Sequence, residues 1–247
     1  NNVFGTWNLA RAAEQAGTSR FVLISTDKAV EPHNVYGVSK HIAERIVLSR
    51  RAADSQFMVV RFGNVLGSRG SVVPLFRTQI MKGGPVTVTH EDATRFFMTN
   101  SEAASLVLKT GGLGEHGGLY LLDMGEPVKI VDLARQMIRF YGFEPDRDIE
   151  IRFTGLRPGE KMHETLSSPA ERVIPTESER INRIEARGTD PAPLEELIRQ
   201  LRPVCFAGAS AIDSTGPRSE YRNRKLLRRI LRDSVPSLEP WEDEPEY

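Results

Sequence analysis

Residues 21–28 read Phe21-Val22-Leu23-Ile24-Ser25-Thr26-Asp27-Lys28, and residues 57–62 read Phe57-Met58-Val59-Val60-Arg61-Phe62. Each carries a short apolar run, the pattern of a strand covered on both faces. Between them Pro32 and Asn34 lead into a segment, from Val35 to about Ala53, whose apolar spacing predicts a helix. Strand, helix and strand in that order imply a parallel sheet with right-handed crossovers, and hence an α/β class.

Upstream, Val3, Leu9, Ala12, Ala13 and Ala16 recur at helical spacing, and Gly17 is placed to end that helix. Downstream, helices are expected over 75–81, over 101–110 with Ser101 or Asn100 as cap, over 130–141 and over 191–201. Strands are expected over 86–88, 119–122 and 149–153. From about Pro203 the composition turns to Gly, Ser, Pro and charge, giving a low-order tail over 203–247. Within it Arg222, Arg224, Lys225, Arg228, Arg229 and Arg232 surround Leu226, Leu227, Ile230 and Leu231. A short solvated amphipathic helix is the favoured reading there, over a partner-binding one.

The chain has 247 residues, 39% of them hydrophobic. That suffices for one sizeable core, or a domain with a subdomain. Its 33 basic and 33 acidic residues cancel, which argues against a nucleic-acid binder and a polybasic membrane-surface protein. The single cysteine, Cys205, excludes a disulfide framework within one chain. No apolar run approaches the roughly 20 residues that a membrane-spanning helix needs. The chain opens Asn1-Asn2-Val3-Phe4-Gly5-Thr6, inside a helical pattern and without an initiator methionine, and reads as a fragment.

Tyr36-Gly37-Val38-Ser39-Lys40 places a phenol and an ammonium four residues apart, on one face of a helix. A phenol, with a pKa of about 10, is a poor base at neutral pH, and a neighbouring ammonium lowers that value. Such a pair can take the proton of a sugar hydroxyl while a hydride leaves the same carbon. Ordinary helix surfaces also carry Tyr and Lys at this spacing. The context adds weight, because the preceding apolar strand ends in Ser25-Thr26-Asp27-Lys28, at the carboxyl end where open α/β sheets bind ligands. A helix-capping turn would explain the first three residues but not Lys28.

Five ordered motifs carry a resemblance: N-x-x-G-T at 2–6, F-V-x-I-S-T-D-K-A at 21–29, N-x-Y-G-x-S-K at 34–40, R-F-G-N-V-L-G-S-R-G-S-V at 61–72 and R-P-G-E-K at 157–161. From Asn1 to about Glu164 the chain resembles the extended short-chain dehydrogenase/reductases, and within them the CapD-like polysaccharide-biosynthesis group of nucleotide-sugar 4,6-dehydratases. The resemblance implies the C-terminal half of a Rossmann-type doubly wound parallel sheet with a small interleaved α/β substrate-binding subdomain. Residues 1–125 would form a partial NAD(P)-binding domain with an insertion at about 65–95, and residues 126–202 the substrate-binding subdomain and a following helix.

It also implies roles. Tyr36 would be the base at the sugar C4 hydroxyl, Lys40 would hold the nicotinamide ribose and lower the Tyr36 pKa, and Thr26 would hydrogen-bond the reacting hydroxyl. Lys28 would remove the C5 proton and Asp27 would protonate the departing C6 hydroxyl, which requires a neutral Lys28 and a protonated Asp27. An ordinary ion pair between the two is the alternative. Ser25 and Val65 join Tyr36 and Lys40 as cofactor contacts. The cofactor would be NADP or NAD, tightly bound and recycled. On the substrate side, Arg95 and Arg157 match diphosphate-binding arginines, Arg69 is a third candidate on a Gly-rich turn, Asn64 matches a sugar contact and Glu160 a ribose contact.

Gly111 to Gly117 satisfies G-x-x-G-x-x-G but is expected to follow a helix and precede a strand, the reverse of a dinucleotide loop. His33, His41, His90, His116 and His163 show no metal-ligand spacing. The expected partner is a UDP-sugar, with no nucleic acid. A homo-oligomer in the cytoplasm is expected, with membrane contact only through a region before Asn1. The dinucleotide loop itself would precede Asn1, so the chain alone is expected to bind NADP(H) poorly and to be aggregation-prone. UDP-N-acetylglucosamine 4,6-dehydratase is the leading reading; a UDP-sugar 4-epimerase and a catalytically silent fragment stay open.

Overall fold

The computed structural model describes residues 1–51, 55–68, 70–185, 192–206 and 222–238. Helix α1 (Phe4–Gln15) leads into β1 (Arg20–Ile24), a single 3-10 turn (Asp27–Ala29), α2 (Val35–Leu48) and β2 (Gln56–Arg61). Then follow β3 (Asn64–Val65), α3 (Val72–Met81), β4 (Val86–Val88), β5 (Thr94–Arg95), β6 (Phe97–Met98), α4 (Asn100–Leu113) and β7 (Gly118–Leu122). The last are β8 (Val128–Lys129), α5 (Ile130–Phe140), β9 (Ile151–Phe153), β10 (Arg172–Pro175), β11 (Ile181–Glu185), α6 (Ala192–Cys205) and α7 (Arg224–Ser234).

The main sheet runs β1-β2-β7-β11-β10. Its first three strands are parallel, as expected, and β11 and β10 extend it antiparallel. Alternate strand residues face opposite layers. Phe57, Val59, Leu119 and Leu121 pack with Ala10 and Val47 of α1 and α2. Met58, Val60, Tyr120 and Leu122 pack on the other face with Ala103, Leu106 and Val107 of α4. The result is the α/β class that the alternation predicts.

Several expectations are corrected. β1 is not covered on both faces: it is the sheet edge, Phe21 to Leu23 are half-buried and Ile24 is 50% exposed. The crossovers are not all right-handed. The chain steps from β1 to β2 to β7 in one direction while α2 and α4 lie on opposite faces, so the two connections have opposite hands. Helix α2 ends at Leu48 with Ser49 as C-cap, and residues 52–54 of its expected end lie outside the described residues. The cap of α4 is Thr99 rather than Ser101 or Asn100, because Thr99 and Glu102 close a reciprocal capping box.

A second core gathers Phe76 and Ile80 of α3, Val86 and Val88 of β4, Ile130, Ala134 and Ile138 of α5, and Ile151 of β9. It lies in the stretches expected to form the substrate side. The basic helix is also corrected. Ile230 and Leu231 of α7 are buried with Leu197 and Leu201 of α6 and Ile42 and Ile46 of α2, so its apolar stripe belongs to the core. The rest of the expected tail, 207–221 and 239–247, lies outside the described residues. Among the described residues no helix is long and apolar enough to cross a membrane.

Candidate functional site

The site forms where β1 and β2 end. Asp27 N–H donates to the Phe62 carbonyl (3.0 Å), so the 3-10 turn closes over the end of β2. Thr26 caps that turn and donates from Oγ1 to Asp27 Oδ1 (2.9 Å). Lys28 Nζ donates to the same Asp27 oxygen (2.9 Å) and to Asn64 Oδ1 (3.2 Å). The Asp27 side chain is fully buried, whereas that of Lys28 is 27% exposed. Expected catalytic residues Thr26, Asp27 and Lys28 and expected substrate residue Asn64 are thus in direct contact.

Asn34 starts α2, accepting from Gly37 N–H (2.9 Å). A Cβ on Gly37 would overlap the Lys28 carbonyl oxygen, so only glycine lets the helix start against the 3-10 turn. Tyr36 on this first turn is 50% exposed, a large aromatic presented to solvent. Lys40, one turn on, donates to the Ile24 carbonyl at the end of β1 (3.1 Å). Burial lowers the Lys40 pKa, and Glu44 one further turn along opposes that shift.

The R-P-G-E-K loop lies against the same helix start. Asn34 Nδ2 donates to the Gly159 carbonyl (2.9 Å) and Lys161 Nζ to the Val30 carbonyl (2.7 Å). Arg95, 9% exposed, donates to Glu160 Oε1 (3.0 Å), to the Thr94 carbonyl (2.7 Å) and to the Met162 carbonyl (3.0 Å). Arg157 donates through its backbone N–H to Glu160 Oε2 (3.3 Å). The expected diphosphate arginine and the expected ribose acceptor are therefore paired with each other. Val65 sits in β3, hydrogen-bonded beside Met98. Arg69 lies outside the described residues.

Ser25, read as a cofactor contact, points the other way. Its hydroxyl is buried and donates to Glu44 Oε1 (2.5 Å). Glu44 also accepts from Arg61 Nε (3.1 Å) and Nη2 (2.8 Å), and Arg61 Nη1 reaches both oxygens of Glu171 (3.1 and 3.0 Å). Burial pulls the Arg61 pKa down, but the two carboxylates outweigh it and the net shift is upward. Arg61, a charge in the apolar run 57–62, was the sequence signal of this network.

Glu164 was also missed as a site residue. Its side chain is 6% exposed, and Oε1 lies 4.0 Å from Lys28 Nζ. Oε2 has no hydrogen-bond partner, and neither has Asp27 Oδ2. Burial pushes the Glu164 pKa up; Lys28 opposes the shift and Asp27 adds to it. The only signal in the chain was an acid three residues beyond the R-P-G-E-K motif. Of the Gly111 to Gly117 segment, Gly111 to Leu113 form the last turn of α4 and Gly114 to Gly117 connect it to β7, helix before strand. Among the described residues no cluster of His, Cys, Asp and Glu could hold a metal ion.

Residues 1–186 match the family described as polysaccharide biosynthesis protein. The chain is similar to the capsular polysaccharide biosynthesis protein CapD of Staphylococcus aureus, with 56% identity over 168 residues, 67% of this chain and 28% of that protein. It is 34% identical to a UDP-glucose 4-epimerase of Rickettsia rickettsii over 194 residues, 76% of this chain and 55% of that one. The X-ray structure of Pen from Bacillus thuringiensis superposes with a TM-score of 0.67 at 34% identity, over 74% of this chain and 58% of that one. The chain thus spans 28% of the length of the CapD relative and about half that of the epimerase.

Proposed function

Because the chain belongs to the polysaccharide biosynthesis protein family, we propose that it carries the acid–base centre of an NAD- or NADP-dependent nucleotide-sugar 4,6-dehydratase, with UDP-N-acetylglucosamine as substrate. The observation that carries this reading is the part-buried Asp27–Lys28 contact of 2.9 Å beyond the carboxyl end of β1. An epimerase needs no acid and base across C5 and C6.

Tyr36 and Lys40 rise from one helix face beside the end of β1, with Lys40 anchored on the Ile24 carbonyl. That donor set fits the ribose of a nicotinamide cofactor. Held there by Tyr36 and Lys40, a nicotinamide would supply hydride acceptance at C4 and hydride return at C6. Tyr36 removes the C4 hydroxyl proton, and Thr26 hydrogen-bonds the same oxygen. Moving one proton across the Lys28–Asp27 contact turns the ion pair into an amine and a carboxylic acid, the less costly form once substrate excludes water. The amine then removes the C5 proton, acidified by the C4 ketone. The acid protonates the C6 hydroxyl, which departs as water. Arg95 and Arg157 neutralise the diphosphate, Glu160 accepts from the ribose and Asn64 steadies Lys28 and the sugar.

The test is incubation of the cofactor-loaded protein with UDP-N-acetylglucosamine, followed by mass spectrometry. Loss of one water supports the dehydratase. Unchanged mass with inverted C4 supports the second reading, a 4-epimerase, which the relative from Rickettsia rickettsii favours. In Lys28→Ala the nicotinamide is still reduced but water loss falls about 10²-fold or more; normal water loss there refutes the assignment of Lys28 as base.

A further inference from the structure

Glu164 is the buried acid that this mechanism leaves unused. It lies beside Lys28 and Asp27, with Arg95 of β5 and Lys161 of its own loop completing the charged groups around it. Its side chain is 6% exposed, Oε1 is 4.0 Å from Lys28 Nζ, and Oε2 has no partner. The unsatisfied carboxyl oxygen has room to carry a proton, and burial and Asp27 shift the group's pKa upward against the opposing pull of Lys28, Arg95 and Lys161.

The proton count of the dehydratase cycle leaves a place for such a group. The resting pair is an ammonium and a carboxylate. Lys28 passes a proton to Asp27, takes the C5 proton, and returns that proton to C5 once C6 has received its hydride. Asp27 gives its proton to the departing water. The pair ends as an amine and a carboxylate, one proton short of rest. We infer that Glu164 supplies this proton: its O–H bond breaks, an N–H bond forms on Lys28, and the ion pair is restored for the next turnover. Glu164 is left as a carboxylate and regains a proton from water as product leaves. The proton held by Tyr36 departs to water, so one proton enters and one leaves, and nothing is oxidised or reduced in the reset. Glu164 acts through Lys28 without touching the sugar, and the inference rests on the dehydratase reading.

Glu164→Gln and Glu164→Asp in the cofactor-loaded protein test it. With enzyme in excess, one round of water loss by Glu164→Gln runs within about 3-fold of the unsubstituted protein, while kcat over many rounds falls about 10-fold or more at little-changed KM. Product then appears as a burst of one per site. Glu164→Asp keeps the acid, turns over without the burst, and serves if the amide variant does not fold. The unsubstituted kcat declines as pH rises through the raised Glu164 pKa, and Glu164→Gln lacks this decline. Equal losses in single and multiple turnovers, or no loss in either, overturn the inference and leave the dehydratase standing. Absence of water loss in the unsubstituted protein overturns both, before any variant is compared.

Discussion

Two triads share the end of β1, each a cation between two acidic side chains. Ser25 belongs to one and the next three residues to the other. In the first, Arg61 saturates Glu44 and Glu171 with two-pronged hydrogen bonds, and Ser25 and the Ser168 N–H add further donors. In the second, Lys28 holds one oxygen of Asp27, stands 4.0 Å from Glu164, and leaves one oxygen of each carboxyl without a partner. A planar five-donor guanidinium can complete such a site; a three-donor ammonium on a flexible stem cannot. The complete triad fixes the strand end and the 166–171 segment. The incomplete one retains unspent hydrogen-bonding capacity, which the proposed proton transfers would use.

The largest expected effect strikes the complete triad. Arg61→Met leaves the buried Glu44 and the part-buried Glu171 without their cation and lowers stability by about 3–5 kcal/mol, measured by urea unfolding. A loss near zero would show that the network does not hold the fold. Next comes Lys28→Ala, which reduces water loss about 10²-fold or more and lowers the unfolding midpoint less than Arg61→Met does, because a single contact to Asp27 is lost and Thr26 still donates to the same oxygen. A large loss of stability there would make the second triad structural like the first. Gly37→Ala forces a Cβ onto the Lys28 carbonyl and costs about 1–3 kcal/mol, with a matching fall in activity as the turn shifts; an unaffected variant would remove the steric reason for this glycine.

The smallest effect is Glu164→Gln on stability. The folded pKa of Glu164 lies above its ordinary value of 4.5. Between the two values the folded state binds more protons than the unfolded state, so this residue's contribution to stability falls as pH rises through that window. The amide variant lacks that fall and gains on the unsubstituted protein with rising pH. Thermal melting across the pH range reads this directly, and a pH-independent difference contradicts it.

The runs at 21–24 and 57–61, the helix starting at Asn34 and the amphipathic helix over 130–140 were legible, because each depends on neighbours within one element. So was the placing of Thr26, Asp27 and Lys28 at a strand end. The exposure of β1 was not, since an apolar run reads alike at an edge and in the middle of a sheet. Nor were β10 and β11, a hairpin in which Arg172, Asn182 and Arg183 break up the apolar pattern and which joins the sheet only through the pairing of β11 with the distant β7. Thr99 lost to Asn100 and Ser101 in the reading because three capping types stand in a row, and only the Glu102 side chain chose among them. The charge on α7 outweighed its leucines in composition, yet its stripe met α6 and α2.

Periodicity and motif order fixed the α/β class, the strand-end turn and the Tyr36/Lys40 face, all of which rest on short-range geometry. Which charges are completed and which are left open was decided by the folded chain. Glu171 reaches Arg61 and Glu164 reaches Lys28 only after more than a hundred residues of chain have brought their loop back over the sheet. Hydrogen-bond saturation is a matter of ångströms and donor directions, and it exists only once the packing that sets those directions is complete.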